Sequence, residues 1–171
     1  PTASGHPTPT VLISPPPNCT SPEEVIYNAW QVRQILTTGV HGLYYPQARN
    51  PESVKAYIST TRYTFQTIGR DQGLPEGLRG HGGENQAAEI WDISSTDYLM
   101  KADPWPMNPE GELLLGLKIE DPEGVANADA IASTPGIALM AGGVSDLAMS
   151  LGYVPRPNWP YPSDLFDSWM A

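Results

Sequence analysis

Short apolar runs alternate with amphipathic segments along most of the chain. The apolar runs, rich in Leu, Ile, Val and Tyr, predict buried strands. These predicted strands are Pro9–Ser14, Gly42–Gln47, Gly111–Glu120 and Ile137–Ala141. The segments between them carry apolar residues at helical spacing, which predicts helices with one apolar face. Such alternation, with nearly all-apolar strands, indicates parallel strands buried on both faces.

Three of the predicted helices begin with the same kind of tripeptide: Ser21-Pro22-Glu23, Asn50-Pro51-Glu52 and Asp121-Pro122-Glu123. The first residue can accept a hydrogen bond from a free backbone amide, proline suits the first helical position, and glutamate complements the helix dipole. Each tripeptide follows a predicted strand, so the chain repeats a strand–helix unit.

The number of these units sets the expected architecture. About four units fit into the 171 residues, whereas a closed (β/α)8 barrel takes about 250 residues. We therefore expect an α/β fold of the (β/α)8 TIM-barrel type, in which residues 1–171 form a single domain covering about the central half. An open sheet is the alternative. Absent barrel strands would expose sheet edges and apolar helix faces, which predicts poor solubility of this chain alone.

Two regions interrupt the alternation of strands and helices. Residues 69–94 are glycine-rich and too long for an ordinary connection, so we expect a lid-like loop there. Residues 153–162 are rich in proline and predict a second, extended loop.

Composition narrows the classes of function. The chain has nine Lys and Arg against 19 Asp and Glu, a formal charge of −10. This argues against nucleic acid and anionic membrane surfaces as partners, and no apolar run has the length of a membrane span. Cys19 is the only cysteine, which excludes an intrachain disulfide and favours a reducing, cytoplasmic compartment. A targeting segment before Pro1 would not be visible.

Two carboxylates follow predicted strands. Glu120 closes one strand, and Asp146 follows the next strand through a Gly-Gly turn. The interval between them is one strand–helix–strand repeat, which returns both strand ends to the same rim of a parallel sheet. Paired carboxylates suit a hard divalent cation. The alternative is that Glu120 is a solvated strand-end acid and that Asp146 complements the dipole of a short helix.

The segment Gly111–Gly152 resembles the HpcH/HpaI aldolase / citrate lyase beta-subunit family. The matching features are a strand that ends in Glu120, the strand entry Thr134-Pro135-Gly136-Ile137, and the turn Gly143-Val144-Ser145-Asp146-Leu147 with Gly152 after it. Their separation also agrees with the family pattern, and the resemblance extends back to Pro9.

The resemblance implies a (β/α)8 barrel, usually a homo-oligomer, that cleaves carbon–carbon bonds of 2-oxo or hydroxy acids. It implies Mg²⁺ or Mn²⁺ bound by Glu120 and Asp146, and a substrate carboxylate held by the backbone amides of Ser145 and Asp146. A divalent ion would stabilise the enolate that cleavage produces.

The family pattern also includes a G-x-R-G turn near the mouth of the active site, which Arg79 matches. On this basis Arg79 would bind a substrate carboxylate and His81 would move protons. The alternative is an arginine tied to backbone carbonyls beside a solvated histidine.

The chain departs from the family pattern at two places. Ser14 stands where relatives carry a substrate-binding arginine, and a neutral hydroxyl does not replace a bidentate cation. Lys118 stands where glutamine is common; it faces the same way as Glu120 and can pair with it or with substrate. The catalytic histidine of the family would lie before Pro1.

These departures leave more than one functional hypothesis. The first is a metal-dependent aldolase-type lyase, and the alternative is a non-catalytic or redirected member that binds metal and a small carboxylic acid. An acidic open-sheet interaction module ranks last, because it does not explain the paired carboxylates.

Overall fold

The computed structural model describes residues 9–154 and 157–170. In these two segments, five parallel strands form one sheet: β1 (Leu12–Ile13), β2 (Gly42–Tyr45), β3 (Pro104–Trp105), β4 (Leu113–Ile119) and β5 (Leu139–Gly142). Strand β4 lies in the middle, with β2 on one side and β1 beyond it. On its other side, β3 pairs with the start of β4 and β5 pairs with its end.

Helices connect the strands in the predicted alternation, except that the described residues between β3 and β4 form no helix. They are α1 (Pro22–Tyr27), α2 (Ala29–Thr37), α3 (Pro51–Thr61), α4 (Glu84–Trp91), α5 (Ser95–Lys101), α6 (Pro122–Ala126), α7 (Ala128–Ala132), α8 (Val144–Ser150) and α9 (Ser163–Met170). The three predicted helix starts are confirmed. The side chains of Ser21, Asn50 and Asp121 each accept a hydrogen bond from the backbone amide three residues later.

The two faces of the sheet differ in burial. On the outer face, every second residue of β4 from Leu113 to Ile119 is buried among helix side chains such as Val54 and Ile58. On the inner face, Trp105 and Leu139 flank β4 and are 46% and 37% exposed. The expectation of burial on both faces is therefore wrong for the described residues. A barrel places no helix layer on its inner side, where only side chains of other strands cover the sheet.

The segment 69–94 is not a loop over the carboxyl ends of the strands. It contains a 3₁₀ turn at Arg70–Gln72 and helix α4. The indole of Trp91 in α4 donates a hydrogen bond to the carbonyl of Gly39 at 2.9 Å and stacks on His41, directly before β2. The predicted lid is thus a packed layer at the amino-terminal end of the sheet.

The end of α3 is anchored at that same end of the sheet. Arg62 follows α3, and its guanidinium pairs with the carboxylate of Asp103 through Nε–Oδ1 and Nη2–Oδ2 distances of 2.6 and 3.2 Å. Both side chains are almost fully buried. The Asp103 carbonyl accepts a hydrogen bond from the amide of Leu113, the first residue of β4. The pair therefore fixes the amino-terminal end of β4 to the end of α3.

The proline-rich segment 153–162 includes residues 155 and 156, which lie outside the described residues. In its described part, the rings of Trp159 and Tyr161 meet edge to face. Leu165 of α9 is buried against Leu147 and Ala148 of α8. Among the residues that the structure describes, no helix is long and apolar enough to cross a bilayer.

Candidate metal and substrate site

Glu120 lies directly after β4, and its environment is closely packed. The residue is 5% exposed, and its Oε2 accepts a hydrogen bond from the amide of Gln47 at 3.1 Å. Gln47 has a left-handed backbone conformation with φ of 52° just beyond β2. A Cβ atom at Gly143, beyond β5, would lie 2.3 Å from Oε1 of Glu120. The carboxylate thus occupies the space where the ends of β2, β4 and β5 meet.

Asp146 comes to this site through the turn that follows β5. The amide of Gly143 donates to the carbonyl of Ile119 at 2.8 Å, which fixes the turn against the end of β4. Helix α8 then begins at Val144, so Ser145 and Asp146 stand in its first turn. Both residues are exposed, and Gly143 brings no side-chain cap to the amides of that turn.

Charge as well as burial acts on the Glu120 carboxyl. Burial raises the pKa of the Glu120 carboxyl above its usual value, and the negative charges of Asp146 and Asp121 raise it further. The hydrogen bond from Gln47 and the positive charge of Lys118 oppose this rise. Two other carboxylates and one positive charge therefore act on Glu120. No group of three or more His, Cys, Asp or Glu side chains with metal-binding geometry occurs in the described segments.

Lys118 and Tyr44 extend the site along the inner face of the sheet. The Nζ atom of Lys118 lies 5.4 Å from the centre of the Tyr44 ring. Burial and the negative charge of Glu120 raise the pKa of Tyr44. Lys118 therefore lies beside an aromatic ring, and its positive charge acts on Glu120. Sequence reasoning did not single out Tyr44, although its register opposite Gly116 places it on the same face.

Ser14 follows β1 at the edge of this face. Pairing of Leu12 with Gly42 and of Ile13 with Leu43 brings Ser14 level with Tyr44, and Ser14 is exposed. The structure therefore brings Ser14, Lys118, Glu120, Ser145 and Asp146 to the carboxyl ends of the strands.

The structure does not bring Arg79 and His81 to these residues. The guanidinium of Arg79 lies 4.2 Å from the centre of the Tyr63 ring and donates to the Thr61 carbonyl and the Tyr63 hydroxyl. These partners stand at the end of α3, beside the start of β4. About 20 Å of strand separates that end from Glu120. The side chain of His81 is 89% exposed, and its Nδ1 lies 2.8 Å from Glu84.

The physical reason is the course of the glycine-rich segment. A backbone bridge joins Arg79 to Tyr63, and a Cβ at Gly83 would meet Thr37 at the end of α2. Both contacts hold the segment at the amino-terminal end of the sheet. The expected catalytic grouping of Arg79 and His81 with Glu120 is not formed, and Arg79 has the contacts of the structural alternative.

Comparison with known proteins identifies the family. A sequence model of HpcH/HpaI aldolase/citrate lyase matches residues 23–160. The chain belongs to this family. A hydroxypyruvate/pyruvate aldolase of Chromohalobacter salexigens is 31% identical over 129 residues, which cover 75% of this chain and 44% of that protein. A 4-hydroxy-2-oxo-heptane-1,7-dioate aldolase of Shigella boydii is 27% identical over 152 residues, covering 86% and 50%.

Solved structures of the HpcH/HpaI family share the fold. A family protein from Burkholderia cenocepacia superposes with a TM-score of 0.66 at 25% identity, covering 92% of this chain and 51% of that one. An HpcH/HpaI aldolase from Desulfitobacterium hafniense gives a TM-score of 0.59 at 18% identity, which shows the fold alone. The chain spans about half the length of the curated relatives it matches. These findings confirm both the resemblance and the expected partial α/β fold of TIM-barrel type.

Proposed function

We propose that this chain carries the metal- and substrate-binding rim of an aldolase-type carbon–carbon lyase for 2-oxo or related hydroxy acids. The observation that carries the proposal is the position of Glu120 directly after β4 and of Asp146 in the first turn of α8, which follows the adjacent strand β5. Three strand ends pack around Glu120, and the charge of Asp146 acts on it. The printed names of several relatives in the family are those of aldolases, which supports this chemical class.

The residues fit a divalent cation such as Mg²⁺ or Mn²⁺. Two carboxylates balance the charge of the ion and leave positions on it for water and substrate. A cation would also offset the burial and the like charges that raise the pKa of Glu120. Glu120 and Asp146 would be its ligands. When bound, the ion supplies positive charge that polarises the substrate carbonyl.

The other residues of the rim would orient the acid. The Lys118 ammonium group lies on the inner face beside Tyr44, where it can pair with a substrate oxygen. The amides of Ser145 and Asp146 in the first turn of α8 suit a carboxylate, and Ser14 offers a hydroxyl at the edge of β1. Together these groups would fix the bond to be cleaved relative to the polarised carbonyl.

Retro-aldol cleavage also requires a base that takes the hydroxyl proton as the carbon–carbon bond breaks. In the described part of the chain, His41 and His81 both lie at the amino-terminal end of the sheet, away from Glu120. The family resemblance implies a catalytic histidine for this step, and neither of these two stands beside Glu120. Self-association is a further part of the proposal. It is supported by exposed apolar side chains on α1, with Ile26 44% exposed and Tyr27 82% exposed.

Calorimetric titration of Mg²⁺ and Mn²⁺ into the metal-free chain tests the ligand assignment. Glu120→Gln should weaken binding at least about tenfold, because a neutral amide replaces a charged ligand. The matched control is Glu110→Gln, an exposed acid at the other end of the sheet. Equal affinity of wild type and Glu120→Gln would remove the basis of the proposal.

A specific observation favours a second function, a redirected member that binds metal and a small acid without cleaving it. Ser14 stands where the family resemblance predicts a substrate-binding arginine. A panel of 4-hydroxy-2-oxo acids, incubated with the chain extended to the length of its relatives, separates the two. Metal-dependent release of pyruvate supports the lyase, whereas binding of the acids without turnover supports the alternative.

A further inference from the structure

A cavity lies at the amino-terminal end of the sheet, beside α2. Its volume is about 330 Å³, and it is bounded by one face of α2 and by the glycine-rich segment 79–82. The side chains that line it are those of Trp30, Arg33, Gln34, Thr37, Arg79 and His81. The length of β4 separates this cavity from Glu120, so it is distinct from the rim described above.

Arg79 gives this cavity a fixed positive charge. The residue is 3% exposed, and the hydroxyls of Tyr63 and Tyr98 and the carbonyl of Thr61 accept hydrogen bonds from its guanidinium. Among the described residues no carboxylate lies within ion-pair distance of it. The charges of Arg79 and Glu84 interact, but the two oxygens of Glu84 contact His81 and the amide of Gly82. A buried guanidinium without a direct counter-ion attracts an anion.

Arg33 adds a second positive charge on the opposite wall. It is exposed on α2, and within residues 9–154 and 157–170 no acid forms an ion pair with it. Trp30 lies one turn earlier on the same face of α2 and is 49% exposed. Two guanidinium groups and a flat indole therefore share one cavity in a chain whose formal charge is −10.

We infer that this cavity binds a small organic anion, whose carboxylate or phosphate group pairs with Arg33 and Arg79. Guanidinium groups match the geometry of both anions. The apolar or aromatic part of the ligand would lie against Trp30, where stacking contributes beyond simple burial. The inference does not depend on metal or on cleavage chemistry at Glu120.

Two probes test this inference: benzoate for the carboxylate and phenyl phosphate for the phosphate. Each is titrated into the full chain at low ionic strength without divalent cations, and binding is followed by calorimetry and by the Trp30 indole NMR signal. We expect at least one probe to bind and to shift that signal. Arg33→Gln should weaken binding at least about tenfold, and Trp30→Leu should weaken it several-fold.

Two controls make the result specific. Lys55→Gln removes one positive charge from α3, which does not line this cavity, and should bind like wild type. Glu120→Gln should also bind like wild type, whatever its effect on metal affinity. Circular dichroism checks that each variant is folded; Arg33 and Trp30 project from the surface of α2, so their replacement leaves the core intact. Binding of neither probe, unchanged affinity in Arg33→Gln, or loss of binding in Glu120→Gln would overturn the inference.

Discussion

Glu120 is the residue of the proposed rim at which burial and neighbouring negative charge conflict with a charged carboxylate. Its carboxyl is packed against the Gln47 amide and the Gly143 backbone, while Asp146 adds a like charge. A carboxylate in this setting is less stable than one in water, and its pKa is raised. A divalent cation would remove the conflict. The same feature therefore has consequences for stability when no metal is bound.

The metal-free chain should gain stability when Glu120 is replaced by glutamine at neutral pH. Because the folded-state pKa of Glu120 is above its unfolded value, its contribution to stability is fully present below the unfolded pKa. That contribution is lost as the pH rises through the folded pKa. Glutamine keeps an oxygen for the Gln47 amide but has no charge. Thermal unfolding from pH 4 to pH 8 in EDTA should show Glu120→Gln melting above wild type only at the higher pH. A constant difference across this range would contradict the assignment of the shift to Glu120.

The site leaves no room for a side chain at Gly143. A Cβ atom there would lie 2.3 Å from Oε1 and 2.5 Å from Cγ of Glu120. Gly143→Ala should therefore displace the carboxylate, weaken Mg²⁺ binding at least about tenfold and cost about 1–3 kcal/mol of stability. Calorimetry and thermal unfolding measure the two effects. At Gly80 a Cβ meets nothing within 4 Å, so Gly80→Ala is the matched control. Normal metal affinity in Gly143→Ala would show that the rim can relax.

At the scale of the element, features that depend on a few consecutive residues could be predicted from the sequence. Features that depend on contacts between distant segments could not. The three Pro-containing helix starts were found because a capping side chain and a proline are both visible within three residues. Helix α4 was missed. It begins after Gly83 in a left-handed conformation, with no side-chain cap hydrogen bond, and it ends at Asp92, which also has positive φ. A glycine-rich start of this kind looks like a loop in the sequence.

The positions of β1, β2, β4 and β5 were predicted from the sequence, but their lengths were not. The predicted strand Pro9–Ser14 contains only Leu12 and Ile13 as paired residues, since Pro15 has no amide to continue the ladder. The two-residue strand β3 was not predicted, because its pairing with Leu113 and Leu114 depends on tertiary contact and not on a local pattern. The rim acids were predictable because each follows a strand. The location of Arg79 was not, since the backbone bridge to Tyr63 leaves no trace in the spacing of residues.

The buried pair Arg62–Asp103 joins the end of α3 to the start of β3, a connection that no local pattern in the sequence predicts. Asp103 accepts two hydrogen bonds from Arg62 and one from Asn108. Asp103→Asn should destabilise the chain by about 3–5 kcal/mol, because it leaves the Arg62 charge buried without its partner. Chemical denaturation measures this difference, and Asp71→Asn, at an exposed acid in the 3₁₀ turn, serves as the control. A loss as small as that of the control would mean that Arg62 finds water or another acceptor.

At the scale of the whole molecule, the sheet has one covered face and one open face. The outer face carries the buried core around Leu115 and Leu117, whereas the inner face presents Leu139 and Trp105 to solvent. In the barrels of this architecture, side chains from the remaining strands fill the inner side. The chain matches only about half the length of its relatives. A chain of net charge −10 therefore exposes apolar side chains on the inner face of its sheet.

This arrangement predicts that the chain alone self-associates through its inner face, in spite of its net charge. Exposed apolar surface on a sheet favours association, and the acidic charges oppose it only at long range. Leu139→Lys, at a residue 37% exposed on the inner face, should lower light scattering and shift the size-exclusion peak toward the monomer. Met149→Lys adds the same charge to α8, at a residue 63% exposed, and should change association much less. If both variants and the wild type elute as monomers at high protein concentration, association is not driven by this face. If both variants reduce association equally, added charge is the cause and the position on the sheet is not.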